Sequence, residues 1–108
     1  MIKRFMANYV VYRSRLTVNG VAAVDGNGNV DVTPFETETA STSYVDGVLA
    51  IMESEAAAGE LRAFLRDKPG VATEELISRI MEIQRTASLS SRPIPMQITP
   101  TRRLLGPL

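Results

Sequence analysis

Residues 16–35 read LTVNGVAAVDGNGNVDVTPF, and their pattern decides the fold class. Asn19-Gly20 is the signature of a two-residue hairpin, because both central positions of a type I′ turn need positive φ. Asp25-Gly26-Asn27-Gly28-Asn29 predicts a second, longer and bulged turn. After it, Val30 and Val32 alternate with Asp31 and Thr33, so one face is free to be buried and the other is wet. Three short strands joined by two turns result. Pro34 ends the last or marks it as an edge, since proline cannot donate to a ladder.

Working outward, residues 5–12, FMANYVVY, are aromatic and β-branched and predict the first strand. Phe5, Ala7, Tyr9 and Val11 share one face, and Met6, Asn8, Val10 and Tyr12 the other. Neither face is plainly polar, as in a strand covered on both sides. Residues 36–43, ETETASTS, suit either a solvated loop or an exposed edge strand. Tyr44-Val45 and residues 48–51, VLAI, flank Asp46-Gly47, which predicts a second hairpin or a kinked strand. Five to six short strands are therefore expected in residues 1–52, forming a small antiparallel β-sandwich or open barrel.

The period then changes. Ser54 can cap a helix that carries Glu55 in its first turn and Ala57, Leu61, Phe64 and Leu65 on one stripe. Gly59 inside it is expected to mark a close packing contact. After Pro69-Gly70, Thr73 is expected to cap a second helix with Leu76, Ile77, Ile80, Met81 and Ile83 inward and Arg79, Glu82 and Arg85 outward. Residues 53–87 thus predict an αα-hairpin packed on the sheet. Residues 88–108 are proline-rich and extended. Ile94, Met96 and Ile98 alternate there, so the tail is expected to dock as a strand, on its own sheet or on a partner's. The fold class expected is α+β in one compact domain.

The chain has 108 residues, 44% hydrophobic and 22% charged, with no formal net charge, as in ordinary soluble proteins. No apolar run reaches the length of a membrane span, and the N-terminal stretch lacks the small-residue cleavage site of a leader. A cytoplasmic location without membrane contact is the default expectation. The charges are segregated: Lys3, Arg4, Arg13 and Arg15 precede an acidic middle from Asp25 to Glu60, and the end carries Arg85, Arg92, Arg102 and Arg103. Basic ends folding back on the acidic middle explain this more simply than a nucleic-acid surface, because the tail has no aromatic residue to stack on a base.

The absence of histidine and cysteine removes the commonest general base, metal ligands and thiol nucleophile. The oxygens of Asp25, Asn27, Asn29, Asp31 and Glu36 follow the spacing of a calcium loop, but Val30 stands where the loop needs glycine and Pro34 sits within it. The pairs Glu36/Glu38 and Glu53/Glu55 fall in polar stretches and are expected to be solvated. Neither a catalytic nor a metal site is expected, nor a cofactor. The candidate ligand or interface residues are Tyr9, Tyr12, Tyr44, Arg102, Arg103, Ile94, Met96 and Ile98. They fit a non-enzymatic interaction or assembly module, homodimeric through a sheet edge or through the tail, which also serves a protein partner. The alternative is a small-molecule-binding accessory domain, with a pocket lined by the tyrosines and anchored by Arg102 or Arg103.

Residues 5–12, then Asn19-Gly-Val-Ala-Ala-Val-Asp-Gly-Asn-Gly-Asn-Val, then Tyr44-Val-Asp-Gly-Val-Leu-Ala-Ile resemble the opening segment of amidohydrolase-type metal hydrolases. In that family the segment forms most of a small β-sandwich beside the catalytic barrel. The resemblance implies such a sheet for residues 1–52, with 97–105 as a candidate return strand. The family's barrel and His-x-His motif have no counterpart here, since Ile51 leads into Met52-Glu53-Ser54. No catalytic residue is implied.

Overall fold

β1 (Lys3–Tyr12), β2 (Arg15–Val24), β3 (Val30–Pro34) and β4 (Thr42–Met52) are followed by α1 (Glu55–Asp67), α2 (Thr73–Thr86), β5 (Ile94–Ile98) and β6 (Leu104–Leu105). The computed structural model describes residues 2–36, 42–87 and 92–108. The strands form one six-stranded sheet in the order β3-β2-β1-β4-β5-β6, so the fold is α+β with a C-terminal strand. The sheet is mixed: β1 and β4 are parallel, and every other neighbouring pair is antiparallel. Parallel pairing needs a crossover, and the chain reaches it by leaving β3 at one edge and entering β4 beyond β1. Residues 37–41 of the polar 36–43 stretch lie outside the described residues, while Thr42 and Ser43 open β4.

Among the described residues the first 52 form four strands rather than five or six, because two of the three glycine signals are not turns. Asn19, at φ +51°, lies inside β2, and Gly20 pairs with Ala7 and Pro34. Asn19 adopts the left-handed conformation as it would in a hairpin, but here it bends a continuous strand. The β1–β2 turn is Arg13-Ser14, at φ +49° and +61°, both central positions being left-handed as a type I′ turn requires. Asp46-Gly47 is likewise a kink within β4, with Gly47 at φ +95°. Between Ala7 and Tyr9, β1 has one residue, Asn8, where β4 has two, Asp46 and Gly47, between Val45 and Val48.

The kink redistributes the core. Phe5, Ala7 and Val10 join Ala22, Val45, Leu49 and Ile51 in the cluster on the face away from the helices. Val11 and, partly buried, Tyr9 turn to the other face. There Val48, Ala50 and Met52 meet Leu61, Leu76, Ile80 and Ile83 of the helices and Met96 and Ile98 of β5. Residues 48–52 of β4 are buried on both sides, which explains their continuous apolar run. Gln84 closes the ends of these strands: its Nε2 donates to the carbonyls of Val11 and Ile51 at 2.9 and 3.1 Å, and its Oε1 accepts from the Ser14 N–H at 2.9 Å.

The β2–β3 turn is where it was expected. The Asp25 carboxylate accepts from the backbone N–H groups of Asn27 and Asn29 at 2.8 and 2.9 Å and from the Asn29 amide at 2.9 Å. The Asn29 side chain first, then its backbone, holds the Asp25 carboxyl below its ordinary value of 3.8. The stabilisation this gives is present above that value and is lost as pH falls through the lower folded one.

In α1 the Ser54 hydroxyl accepts from the Ala57 N–H at 3.0 Å, a standard N-cap. The α2 cap is Ala72, without a side-chain bond. Thr73 is already helical, and its hydroxyl accepts from Arg102 instead, at 2.7 Å. Arg79 is half-buried with its guanidinium 6.0 Å from the Phe64 ring, rather than freely solvated. Gly59 marks no close contact: a methyl group there would meet nothing within 4 Å. Gly59→Ala is therefore expected to stabilise the protein by about 1 kcal/mol through helix propensity, measured as a rise in the urea midpoint at unchanged slope.

Candidate functional site

The residues singled out in the tail are already occupied. Ile94, Met96 and Ile98 are 9%, 1% and 0% exposed and belong to the helix-side core. The tail docks on its own sheet, with Ile94 to Ile98 opposite Met52 to Val48. These three side chains are not a surface for a partner.

The tyrosines separate. Tyr44 is exposed, and its hydroxyl donates to Asn8 Oδ1 at 2.9 Å across the kink. Tyr12 packs partly against the second cluster, with the Arg13 guanidinium 5.2 Å from its ring centre. Burial, then the negative charge of Glu53, pushes the Tyr12 hydroxyl above its ordinary value. Tyr9 leans on the helix-side core and lines a recess of about 280 Å³ with Arg102, Asp46, Val48 and Thr73. Arg103 is exposed and is fixed through its backbone, its N–H donating to Thr99 Oγ1 at 3.0 Å.

Arg102 does not reach the acidic middle of the chain. Its Nε donates to the Val71 carbonyl at 2.7 Å, Nη2 to Thr73 Oγ1, and Nη1, weakly, to the Pro100 carbonyl at 3.4 Å. Arg13 does meet an acid: its Nε lies 3.0 Å from Glu53 Oε1. Glu53 was expected to be solvated with Glu55, yet its side chain is only 8% exposed. It sits between the last residue of β4 and the cap of α1, where the strand-to-helix change carries it inward. Position beside Glu55 hides this in the sequence; the contrast with the apolar run before it was the available signal. Asp46 was also missed, because its pairing with Gly47 reads as turn chemistry alone.

Another recess, of about 260 Å³, lies at the start of β2 and is lined by Tyr12, Arg13, Arg15, Thr17 and Val32. It adjoins an open stretch of strand. β3 pairs with β2 only from Gly20 to Val24, so among the described residues the half of β2 from Arg15 to Val18 has no strand on its outer side. Leu16 and Val18 point to one face, opposite Val11 and Tyr9, and are 37% and 56% exposed.

Among the described residues no three carboxylate-, imidazole- or thiol-bearing side chains cluster as a metal site would require. No described helix is long and apolar enough to cross a membrane. The architecture defines a small α+β domain with a mixed, kinked sheet backed by a helical hairpin. No protein-family model, curated protein or solved structure matches the chain.

Proposed function

We propose that this chain is a non-enzymatic interaction module that pairs with a second copy of itself through the open half of β2. The observation that supports it is the exposed edge from Arg15 to Val18, with Leu16 and Val18 in water beside it. An unpaired edge is a template for another strand, and protected proteins blunt theirs with charge or proline. The proline of β3 stands at Pro34, beyond this stretch.

Antiparallel pairing about Thr17 is self-complementary, as a two-fold interface requires. It sets Leu16 opposite Val18 of the second copy and Arg15 opposite Asn19, so no like charges meet across the strands. The tail stays in its own sheet. Descent of residues 1–52 from the sheet segment of amidohydrolase-type hydrolases is compatible with this role and adds no activity to it.

Sedimentation equilibrium at micromolar concentrations tests the reading. The full chain is expected to be a dimer, and Leu16→Lys with Val18→Lys a monomer with an unchanged circular dichroism spectrum. A monomeric full chain, or a double variant that still dimerises, overturns it.

A further inference from the structure

We propose that the recess between the β4 kink and the β5–β6 turn binds a small zwitterion of the α-amino-acid class. Arg102 takes the carboxylate, Asp46 the ammonium group, and Tyr9 and Val48 the side chain. The proposal does not depend on dimerisation, since no residue of β2 lines the recess.

The argument begins with the backbone. The turn is closed by Arg102 N–H donating to the Thr99 carbonyl at 2.8 Å and Thr99 N–H to the Arg103 carbonyl at 2.9 Å. Arg102 follows at φ +68°, the left-handed position that such hairpins usually give to glycine. An L-residue there is disfavoured by roughly 1–2 kcal/mol. Strain of this kind persists where the side chain is needed in that place.

The side chain is held but not exhausted. A guanidinium has five N–H groups. The Val71 and Pro100 carbonyls and the Thr73 hydroxyl each take one. One N–H on each terminal nitrogen is left, and two such groups are the fork that grips a carboxylate. The bonds to Val71 and Thr73 hold the guanidinium against the α1–α2 connection and the start of α2 before any ligand arrives.

Asp46 stands at the same recess. Its backbone carbonyl accepts from Gln97 Nε2 at 2.8 Å, while its carboxylate has no hydrogen bond or ion pair among the described residues. Asp46 and Arg102 both line this recess and form no ion pair with each other among the described residues, whereas Arg13 and Lys68 reach their acids at 3.0 and 2.9 Å. The charges of both signs select the ligand class. A simple anion would meet Asp46, a simple cation would meet Arg102, and a molecule carrying both charges satisfies each. A volume of about 280 Å³ suits a metabolite rather than a drug-sized molecule.

The test is a ¹H–¹⁵N correlation titration of the full chain with each standard L-amino acid singly, and with propionate and propylamine as one-charge controls. At least one amino acid is expected to shift the amides of Asn8, Tyr9, Val48 and Arg102, and neither control should do so. Asp46→Asn and Arg102→Gly are each expected to weaken binding about tenfold or more while keeping the dispersed spectrum of the folded chain. Arg102→Gly removes the fork and leaves a residue that suits the turn; Asp46→Asn keeps the shape of an exposed side chain. Absence of shifts at these amides, equal binding of propionate or propylamine, or unchanged affinity in both variants overturns the proposal.

Discussion

A chain ending at Ala87 is expected to show no cooperative unfolding transition. Such a chain keeps the helical hairpin and the first four strands, but β4 loses the antiparallel partner that runs along Val48 to Met52. Ile94, Met96 and Ile98 leave the helix-side core. Burying each such side chain contributes about 1.5–3 kcal/mol, so the three together rival the whole margin of about 5–15 kcal/mol that holds a small domain folded. β4 then becomes an edge strand, with Val48, Ala50 and Met52 unpaired on the side β5 had covered, which also invites aggregation. Circular dichroism melting of the shortened chain is the check. A sharp transition with native amide dispersion would mean that β5 and β6 are accessory to the core.

Gly47→Val is expected to cost at least about 3 kcal/mol, from strain and a steric clash combined. A Cβ built on Gly47 comes 2.2 Å from the carbonyl oxygen of Ile98. That oxygen belongs to the backbone of β5 and cannot swing aside as a flexible side chain would. The residue also sits at φ +95°, where a β-branched residue is strongly disfavoured. Relief would require the kink to straighten, and the kink is what lets Ala7 match Val45 while Tyr9 matches Val48. Urea unfolding measures the loss as a lower midpoint. A change below about 1 kcal/mol would show that β4 can shed its kink without disturbing β5.

The long-range pairing of β4 and its kink at Gly47 also explain what the sequence discloses and what it withholds. The helical hairpin was readable because its apolar stripes and the Ser54 cap are local properties; Leu61, Leu76, Ile80 and Ile83 are buried as the spacing requires. The Asp25–Asn29 turn was readable because its chemistry is satisfied within the turn. Asn19-Gly20 and Asp46-Gly47 misled or stayed ambiguous, since positive φ is equally the mark of a hairpin and of a kink inside a strand. Only pairing across strands distinguishes them. The actual turn, Arg13-Ser14, carries no residue that favours the left-handed region, so its position between two strands was readable and its type was not. The parallel match of β1 with β4 is a long-range choice that no local pattern encodes.

The candidate site was half readable. Tyr9 and Arg102 were selected from side-chain chemistry, and the fold brings them to one recess. Tyr12 and Tyr44 were selected on the same ground and lie elsewhere. Asp46, across the recess, was masked by its role in a turn signal. Glu53 was masked by its acidic neighbour, because burial depends on where the strand ends in space.

The position of β4 has a consequence for how the chain acquires its structure. Its two neighbours in the sheet are the first strand and the fifth, one made long before it and one long after, with the whole helical hairpin intervening. Contacts between segments so distant in sequence raise the contact order and slow the search for the native state. During synthesis on the ribosome, the apolar strand emerges well ahead of the segment that completes its ladder. Until residues 94–98 appear, the nascent chain has a sticky, half-paired centre of the kind that chaperones recognise.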